Sequence, residues 1–244
     1  MINILLSDSN FDADWAYPYL REILKKDMKV LVLPISSADE GWSSDIEEWE
    51  HRYQKGNRHY EKIVQPFRNY LIEEDNISFL NYFEETKESA EKKILNADIV
   101  YLLGDNPDEM MMTIRELGIH KAILEFDGVF MASGAGANIV MDEFDSTYEW
   151  EDSSQNGLGL LRGFALEQSY VEDEAHLARI LHDLEQKGKN VFAFPKNGGL
   201  LIEDGNYRLL GDAFTVNDND LDAIYQAYED AKSRQDYYGD NGDW

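Results

Sequence analysis

The feature that most constrains the fold is a regular alternation of short, continuously apolar segments with longer amphipathic ones. Four apolar segments are predicted strands, at Ile2–Leu6, Lys29–Ser36, Ile99–Leu103 and Gly128–Ala132, and Ile77–Phe83 is a weaker one. Strands that are apolar throughout are typical of parallel sheets buried on both faces. The pattern therefore predicts a three-layer α/β/α architecture with a mostly parallel sheet.

The rest of the chain predicts a single domain at residues 1–233 and a mobile acidic tail at 234–244. An aromatic-rich insert at about 39–75 is predicted to form one or two helices that cover the sheet, with a binding lid or an oligomer contact as the alternative. The other predicted elements are helices at Asp14–Lys25, Lys87–Leu95, Asp173–Lys187 and Leu221–Lys232, a helix from Asp108, strands at Phe164–Tyr170 and Val191–Phe194, and a hairpin within Gly199–Asp212.

The charge balance excludes several classes of partner. The chain has 22 basic and 49 acidic residues, for a formal net charge of −27, so it repels nucleic-acid phosphates and anionic membranes. It has no cysteine, which excludes disulfides, thiolate metal sites and a cysteine nucleophile. The N-terminus does not resemble a signal peptide, and no apolar run is long enough to span a bilayer. We expect a soluble cytoplasmic protein, with homo-oligomerisation left open.

The most informative segment is the small-residue turn that follows the fifth predicted strand. A strand that enters a tight turn and then a helix is the setting of a nucleophile elbow, in which the residues two before and two after the apex must be small. With Ser133 at the apex, Met131 would crowd the turn. With Gly134 at the apex, the flanking residues are Ala132 and Gly136. The second register fits better, and it places a glycine where a nucleophile belongs.

Three motifs together resemble the peptidase E / cyanophycinase family of serine peptidases. Gly134–Asn138 (Gly-Ala-Gly-Ala-Asn) resembles the Ser-Ala-Gly-Ala-Asn elbow of that family, and Tyr101–Asn106 is similar to its strand ending in Gly-Gly-Asn. Gly157–Leu161 is similar to its Gly-Leu-Gly-Leu segment, and the order and spacing agree over about residues 1–215. The resemblance implies a flavodoxin-like fold of the class I glutamine amidotransferase type and a dipeptidase-type serine hydrolase.

The same resemblance places substitutions at the catalytic positions. Gly134 takes the position of the serine nucleophile, and Ser169 takes the position of the histidine. The acidic member of the triad falls near Glu149, with Asp152 as the alternative. His176 falls where the dipeptidase branch has a substrate-binding arginine.

The resemblance also implies a substrate cleft at Gly104, Asp105, Asn106 and Ala135. The family's Gly-Gly-Asn turn helps to form the oxyanion hole, and here it contains Asp105 instead of the second glycine. A carboxylate at that point would oppose a developing oxyanion rather than stabilise it.

These substitutions predict a relative that has lost catalysis and retains a cleft for a small peptide or amino-acid derivative. The alternative is an active dipeptidase that uses a displaced nucleophile, Ser133 or Ser169, and the direction of the Ser133 hydroxyl distinguishes the two. A third hypothesis is an assembly module that acts through the insert at about 39–75. The sequence contains no metal-binding or nucleotide-binding motif, so we expect neither a metal nor a cofactor.

Overall fold

The structure is a computed structural model that describes residues 1–35, 45–147 and 154–239. The strands are β1 Ile2–Leu6, β2 Val30–Pro34, β3 Ile77–Phe79, β4 Ile99–Gly104, β5 Val129–Gly134, β6 Glu143–Asp145, β7 Ser154–Asn156, β8 Phe164–Gln168, β9 Asn190–Phe194, β10 Gly198–Glu203, β11 Asn206–Gly211 and β12 Phe214–Val216. The helices are α1 Tyr17–Leu20, α2 Ile46–Arg52, α3 Arg58–Asn69, α4 Lys87–Leu95, α5 Pro107–Leu117, α6 His120–Glu125, α7 Ala135–Ile139, α8 Glu174–Glu185 and α9 Leu221–Gly239, with short 3-10 turns at Glu74–Asn76 and Asp218–Asp220.

The central sheet confirms the predicted fold class. Within the described residues it has seven strands in the order β11-β10-β1-β5-β4-β2-β3. The five strands from β1 to β3 in that order run parallel, and the β10–β11 hairpin pairs antiparallel with β1. Because parallel strands finish at the same edge, the segments after β1, β4 and β5 come together there, which is where ligands bind in open α/β sheets.

Helices cover both faces of this sheet and form two apolar cores. On one face, α4, α5 and α6 pack against residues that include Val100, Leu102 and Phe130. On the other face, α1 and α3 pack against Tyr101 and Met131. The two cores use alternate residues of the same strands, since successive side chains point to opposite faces. This is the flavodoxin-like, three-layer arrangement.

A smaller sheet lies beside the large one. It has the strand order β12-β9-β8, in which β8 and β9 are parallel and β12 is antiparallel to β9. Helix α8 packs on it through Ile180 and Leu184. The ends of both sheets meet at the carbonyl of Phe194, which accepts hydrogen bonds from the backbone N–H of Tyr170 (2.9 Å) and the hydroxyl of Ser7 (3.4 Å).

Several element bounds differ from the sequence-based predictions. The helix expected at Asp14–Lys25 is only the single turn α1 between hydrogen-bonded turns. The strand expected at Ile77–Phe83 stops at Phe79, because the side chain of Asn81 caps a turn by accepting from Phe83 N. The small hairpin β6–β7 has no counterpart among the predicted elements, since its residues are mostly acidic and polar.

The insert and the tail are only partly described. The predicted insert at 39–75 contains α2 and α3, and residues 36–44 lie outside the described residues. The tail predicted to be mobile from residue 234 begins inside α9, which continues to Gly239, and residues 240–244 are not described. The assignment of one domain to residues 1–233 stays a prediction. Through the described parts of the chain, no helix combines the length and the apolar character that crossing a bilayer requires.

Candidate functional site

The turn between β5 and α7 has an unusual backbone at Gly134. Its φ of +57° and ψ of −135° lie in a region that side chains disfavour and glycine adopts freely. A Cβ at this position would lie 3.2 Å from the carbonyl oxygen of Gly104 and 3.7 Å from Oδ1 of Asp105. A side chain at Gly134 would therefore be strained and would point towards the end of β4.

The small size of Gly136 lets α7 approach the sheet. A Cβ on Gly136 would lie 2.9 Å from the carbonyl oxygen of Leu102, closer than real Cβ atoms approach backbone. The requirement for a small residue at position 136 thus has a direct steric cause, which is the packing of α7 against β4.

The hydroxyl of Ser133 is engaged inside the sheet. The side chain is 6% exposed, and Oγ lies 2.9 Å from the phenolic oxygen of Tyr101. Tyr101 is fully buried, and burial raises its pKa well above the ordinary value, so it stays protonated at neutral pH. A protonated phenol cannot remove a proton from Ser133, so this pair lacks the base that a serine nucleophile needs.

A cavity of about 110 Å³ opens at Gly134, at the edge where β1, β4 and β5 finish. We call it the Gly134 cavity. Its wall residues come from the end of β1, from the insert, and from the ends of β4 and β5: Ser7, Asp8, Ser9, Tyr53, His59, Lys62, Ile63, Leu103, Gly104, Asp105, Ser133 and Gly134.

Charges of both signs line the Gly134 cavity. Asp8 and Asp105 contribute carboxylates, whereas His59 and Lys62 on α3 contribute nitrogen groups. Oδ1 of Asp8 accepts from the backbone N–H of Ser9 at 2.6 Å and from its hydroxyl at 3.3 Å, which fixes the carboxylate at the end of β1. The cavity can therefore match a small molecule that carries both a cationic and an anionic group.

The remaining predicted site residues lie at varying distances from this cavity. Asn106 accepts from Glu109 N at 3.1 Å and caps α5, and Ala135 is the first residue of α7. Both adjoin residues of the cavity wall. Glu149 and the alternative Asp152 lie outside the described residues.

Ser169 follows β8 and is exposed, with a positive φ of +52°. The hydrogen bond from Tyr170 N to the Phe194 carbonyl places the end of β8 beside the end of β9. The hydroxyl of Ser7 donates to the same carbonyl. Ser169 itself is not among the described residues that line the Gly134 cavity.

His176 is part of a separate polar network at the start of α8. Its Nδ1 lies 2.8 Å from Oδ1 of Asp173, which also caps the helix by accepting from His176 N. Its Nε2 lies 3.7 Å from the buried carboxylate of Glu167, and Glu167 receives a bidentate contact from Arg179. The structure therefore does not bring His176 to the Gly134 cavity.

Eight residues of the cavity wall were not among the predicted site residues: Ser7, Asp8, Ser9, Tyr53, His59, Lys62, Ile63 and Leu103. A signal existed for Asp8, because Ser7-Asp8-Ser9 directly follows a buried strand, as Asp105 does. No comparable signal exists for the residues of the insert, because they reach the cavity only through the packing of α3 and of the segment that precedes it. In the described part of the chain, no three acidic or histidine side chains are grouped as metal ligands would be.

Comparison with known proteins gives a consistent result. The sequence profile of peptidase family S51 matches residues 4–210. A protein named as a peptidase E from Listeria monocytogenes EGD-e has a similar structure, with a TM-score of 0.62 and 14% identity over 85% of this chain and 96% of that chain. A peptidase from an acI-B1 Actinobacterium has a TM-score of 0.57 and 14% identity over 88% of this chain and 93% of that chain. No functionally curated protein matches significantly. At 14% identity, the two structural likenesses establish the fold.

Proposed function

This chain belongs to peptidase family S51, and we propose that it is a member without peptidase activity that binds a small peptide or amino-acid derivative in the Gly134 cavity. The observation that carries the proposal is the backbone of Gly134, whose φ of +57° and ψ of −135° support its assignment to the apex of the turn after β5. A serine peptidase attacks with a side-chain oxygen at such an apex, and glycine has none.

The surroundings of Gly134 support the loss of hydrolysis. Asp105 holds a carboxylate oxygen 3.7 Å from the place where a Cβ would stand. During acyl transfer, negative charge develops on the substrate oxygen beside the nucleophile, and a carboxylate there raises the barrier. In a serine-protease template, binding and the oxyanion hole alone leave a rate roughly 10³–10⁴ times that in water, and Asp105 lowers even that remainder.

The mixed charge of the cavity supports a binding role. The carboxylates of Asp8 and Asp105 can receive an ammonium group, and Lys62 can receive a carboxylate. Free amino acids and short peptides carry both groups. The volume of about 110 Å³ suits one small residue rather than a long peptide.

The second candidate function is a dipeptidase that uses a displaced nucleophile. The observation in favour of this function is that Ser133 lines the Gly134 cavity. The hydrogen bond of Ser133 to buried Tyr101 counts against it. Ser169 also counts against it, because it is exposed and is not among the described residues that line the cavity.

The test is hydrolysis of a panel of aspartyl and other dipeptides by the unaltered protein and by Gly134→Ser/Ser169→His. We expect no turnover by the unaltered protein and measurable turnover by the double variant. The matched control is Gly134→Ala/Ser169→His, which has the same added Cβ and the same imidazole but no hydroxyl, and which must stay inactive.

Three outcomes would contradict the proposal. Turnover by the unaltered protein that disappears in Ser133→Ala would establish the displaced nucleophile. Turnover by the unaltered protein that survives Ser133→Ala and disappears in Ser169→Ala would do the same for Ser169. Failure of every dipeptide and amino acid to perturb the NMR signals of residues in the Gly134 cavity would remove the binding role.

A further inference from the structure

A second cleft, of about 830 Å³, lies between the large and the small sheet. It opens where β8 and β9 begin, beside the turn that joins β10 to β11. The antiparallel register places Ile2 opposite Glu203 and Leu6 opposite Gly199, so this turn lies at the edge where the parallel strands start. Gly134 lies at the other edge, where they finish. The two sites are therefore separate.

Three aromatic rings form a continuous wall in this cleft. The rings of Phe164 and Phe192 meet edge to face with centroids 4.9 Å apart, and those of Phe192 and Tyr207 do so at 5.1 Å. Leu200 and Ile202 extend the apolar surface. Tyr207 is 61% exposed although it is a large ring on a strand. An aromatic ligand can extend this edge-to-face series, a geometry that stabilises ring pairs beyond the burial of area.

Arg162 supplies a cation to the same cleft. Its Nη2 would lie 3.5 Å from a Cβ at Gly159, so the guanidinium rests against the turn before β8. Arg162 is exposed, and across the described residues it makes no ion pair and no hydrogen bond. Acidic residues outnumber basic ones 49 to 22 in this chain, and Arg68 and Arg179 are each paired with carboxylates. An arginine left without an acid in an aromatic cleft is available for the carboxylate of a ligand.

The cleft also contains one carboxylate, Asp218, the first residue of the 3-10 turn before α9. The side chain of Asn217 caps that turn. The carboxylate of Asp218 repels an anionic ligand. Removing its charge should therefore strengthen the binding of an anion, and it would weaken the binding of a cation.

We propose that this cleft binds a small aromatic carboxylate, with its ring against Phe192 and Tyr207 and its carboxylate on Arg162. The planar guanidinium offers two parallel N–H donors to a carboxylate, which fixes orientation as well as charge. The volume lies within the range of small-molecule sites, and an apolar wall with a few polar groups is their usual composition.

The experiment is a titration of the full chain with 3-phenylpropionate and with 3-phenylpropanol, which has the same ring and chain length without the charge. Binding is followed by calorimetry and by ligand-observed NMR. We expect saturable binding of the acid, with an affinity about tenfold or more above that of the alcohol. Tyr207→Ala weakens both ligands because it removes the exposed ring.

Two charge variants test the orientation. Arg162→Gln weakens the acid about tenfold or more and leaves the alcohol unchanged, whereas Asp218→Asn tightens the acid because it removes a repulsive charge. Arg58→Gln is the matched control: it removes the same charge from an exposed position on α3 and leaves the affinity for the acid within about twofold.

Three results overturn the proposal: equal affinity for acid and alcohol, weaker binding of the acid in Asp218→Asn, or no saturable binding of the acid. Circular dichroism of each variant excludes loss of fold as the cause. Because Gly134 lies at the opposite edge of the sheet and does not line this cleft, we expect binding of the acid to survive Gly134→Ala. The result is therefore independent of the function proposed for the Gly134 cavity.

Discussion

The main-chain angles of Gly134 determine which residues the turn after β5 tolerates. A side chain at φ +57° and ψ −135° is strained, and the Gly104 carbonyl stands 3.2 Å from the Cβ position. We expect Gly134→Ala to lower the free energy of unfolding by about 1–3 kcal/mol. The measurement is urea denaturation followed by circular dichroism.

Gly188 provides the control for that prediction. It also has a positive φ, of +61°, but a Cβ there would have no atom within 4 Å. Gly188→Ala therefore reports backbone strain without crowding, and we expect a smaller loss than at Gly134. An equal or larger loss at Gly188 would contradict the prediction for Gly134.

Asp105 is the second residue with a testable effect on chemistry. In the Gly134→Ser/Ser169→His background, Asp105→Gly removes the carboxylate that, under the proposed function, opposes the developing oxyanion, and we expect kcat to rise by about 10²-fold. Asp105→Asn is the control, since it removes the charge and keeps the size. A rise with glycine and none with asparagine would assign the effect to space rather than charge.

At the scale of elements, α3 both covers the sheet and lines the Gly134 cavity. One face buries Tyr60, Val64 and Phe67, whereas His59 and Lys62 line the cavity. Glu74, the first residue of the following 3-10 turn, connects that turn to the helix through side-chain hydrogen bonds. Its carboxylate accepts from Lys55 (2.7 Å), Arg68 (2.6 Å) and Tyr60 (2.8 Å).

These contacts predict a specific pH dependence. Hydrogen bonds from Lys55, then Arg68 and Tyr60, lower the pKa of Glu74 from 4.5 to about 2. A depressed carboxyl pKa contributes stability that is present above pH 4.5 and is lost as the pH falls towards 2. We therefore expect Glu74→Gln to destabilise the protein at pH 7 and to approach the unaltered protein below pH 4. Urea midpoints measured from pH 7 to pH 3 test this.

An exposed acid in α5, Glu116, serves as the control for Glu74. The urea midpoint of Glu116→Gln should differ from that of the unaltered protein by a constant amount from pH 7 to pH 3. A gap between Glu74→Gln and the unaltered protein that widens in acid would contradict the assignment.

An element can be predicted from the sequence when neighbouring residues determine it, and not when it depends on contacts with distant parts of the chain. Buried parallel strands such as β4 and β5 are visible as apolar runs, and the hairpin turn at Asp204-Gly205 was predicted from its residues. The separation of β8, β9 and β12 into a second sheet depends on long-range pairing that no local pattern encodes. For the same reason, Asp105 could be assigned from its motif, whereas His59 enters the site only through the packing of α3.

At the scale of the molecule, the net charge of −27 sets how stability responds to salt. Repulsion between exposed carboxylates destabilises the compact state, and salt screens it. We expect the urea midpoint at pH 7 to rise between about 20 mM and 500 mM sodium chloride, a range over which the Debye length falls from roughly 20 Å to about 4 Å. A titration near the acidic isoelectric point, where net repulsion vanishes, is the control and should show little change. A midpoint at pH 7 that falls with salt would mean that the ion pairs outweigh the repulsion.

The strained geometry at Gly134 has a consequence for the history of such a turn. Replacing a serine by glycine there relieves strain and so stabilises the fold, whereas the reverse change must bring the strain back. Mutation and selection for stability therefore favour one direction. Once selection for hydrolysis is relaxed, the change from serine to glycine is favoured and the reverse change is disfavoured.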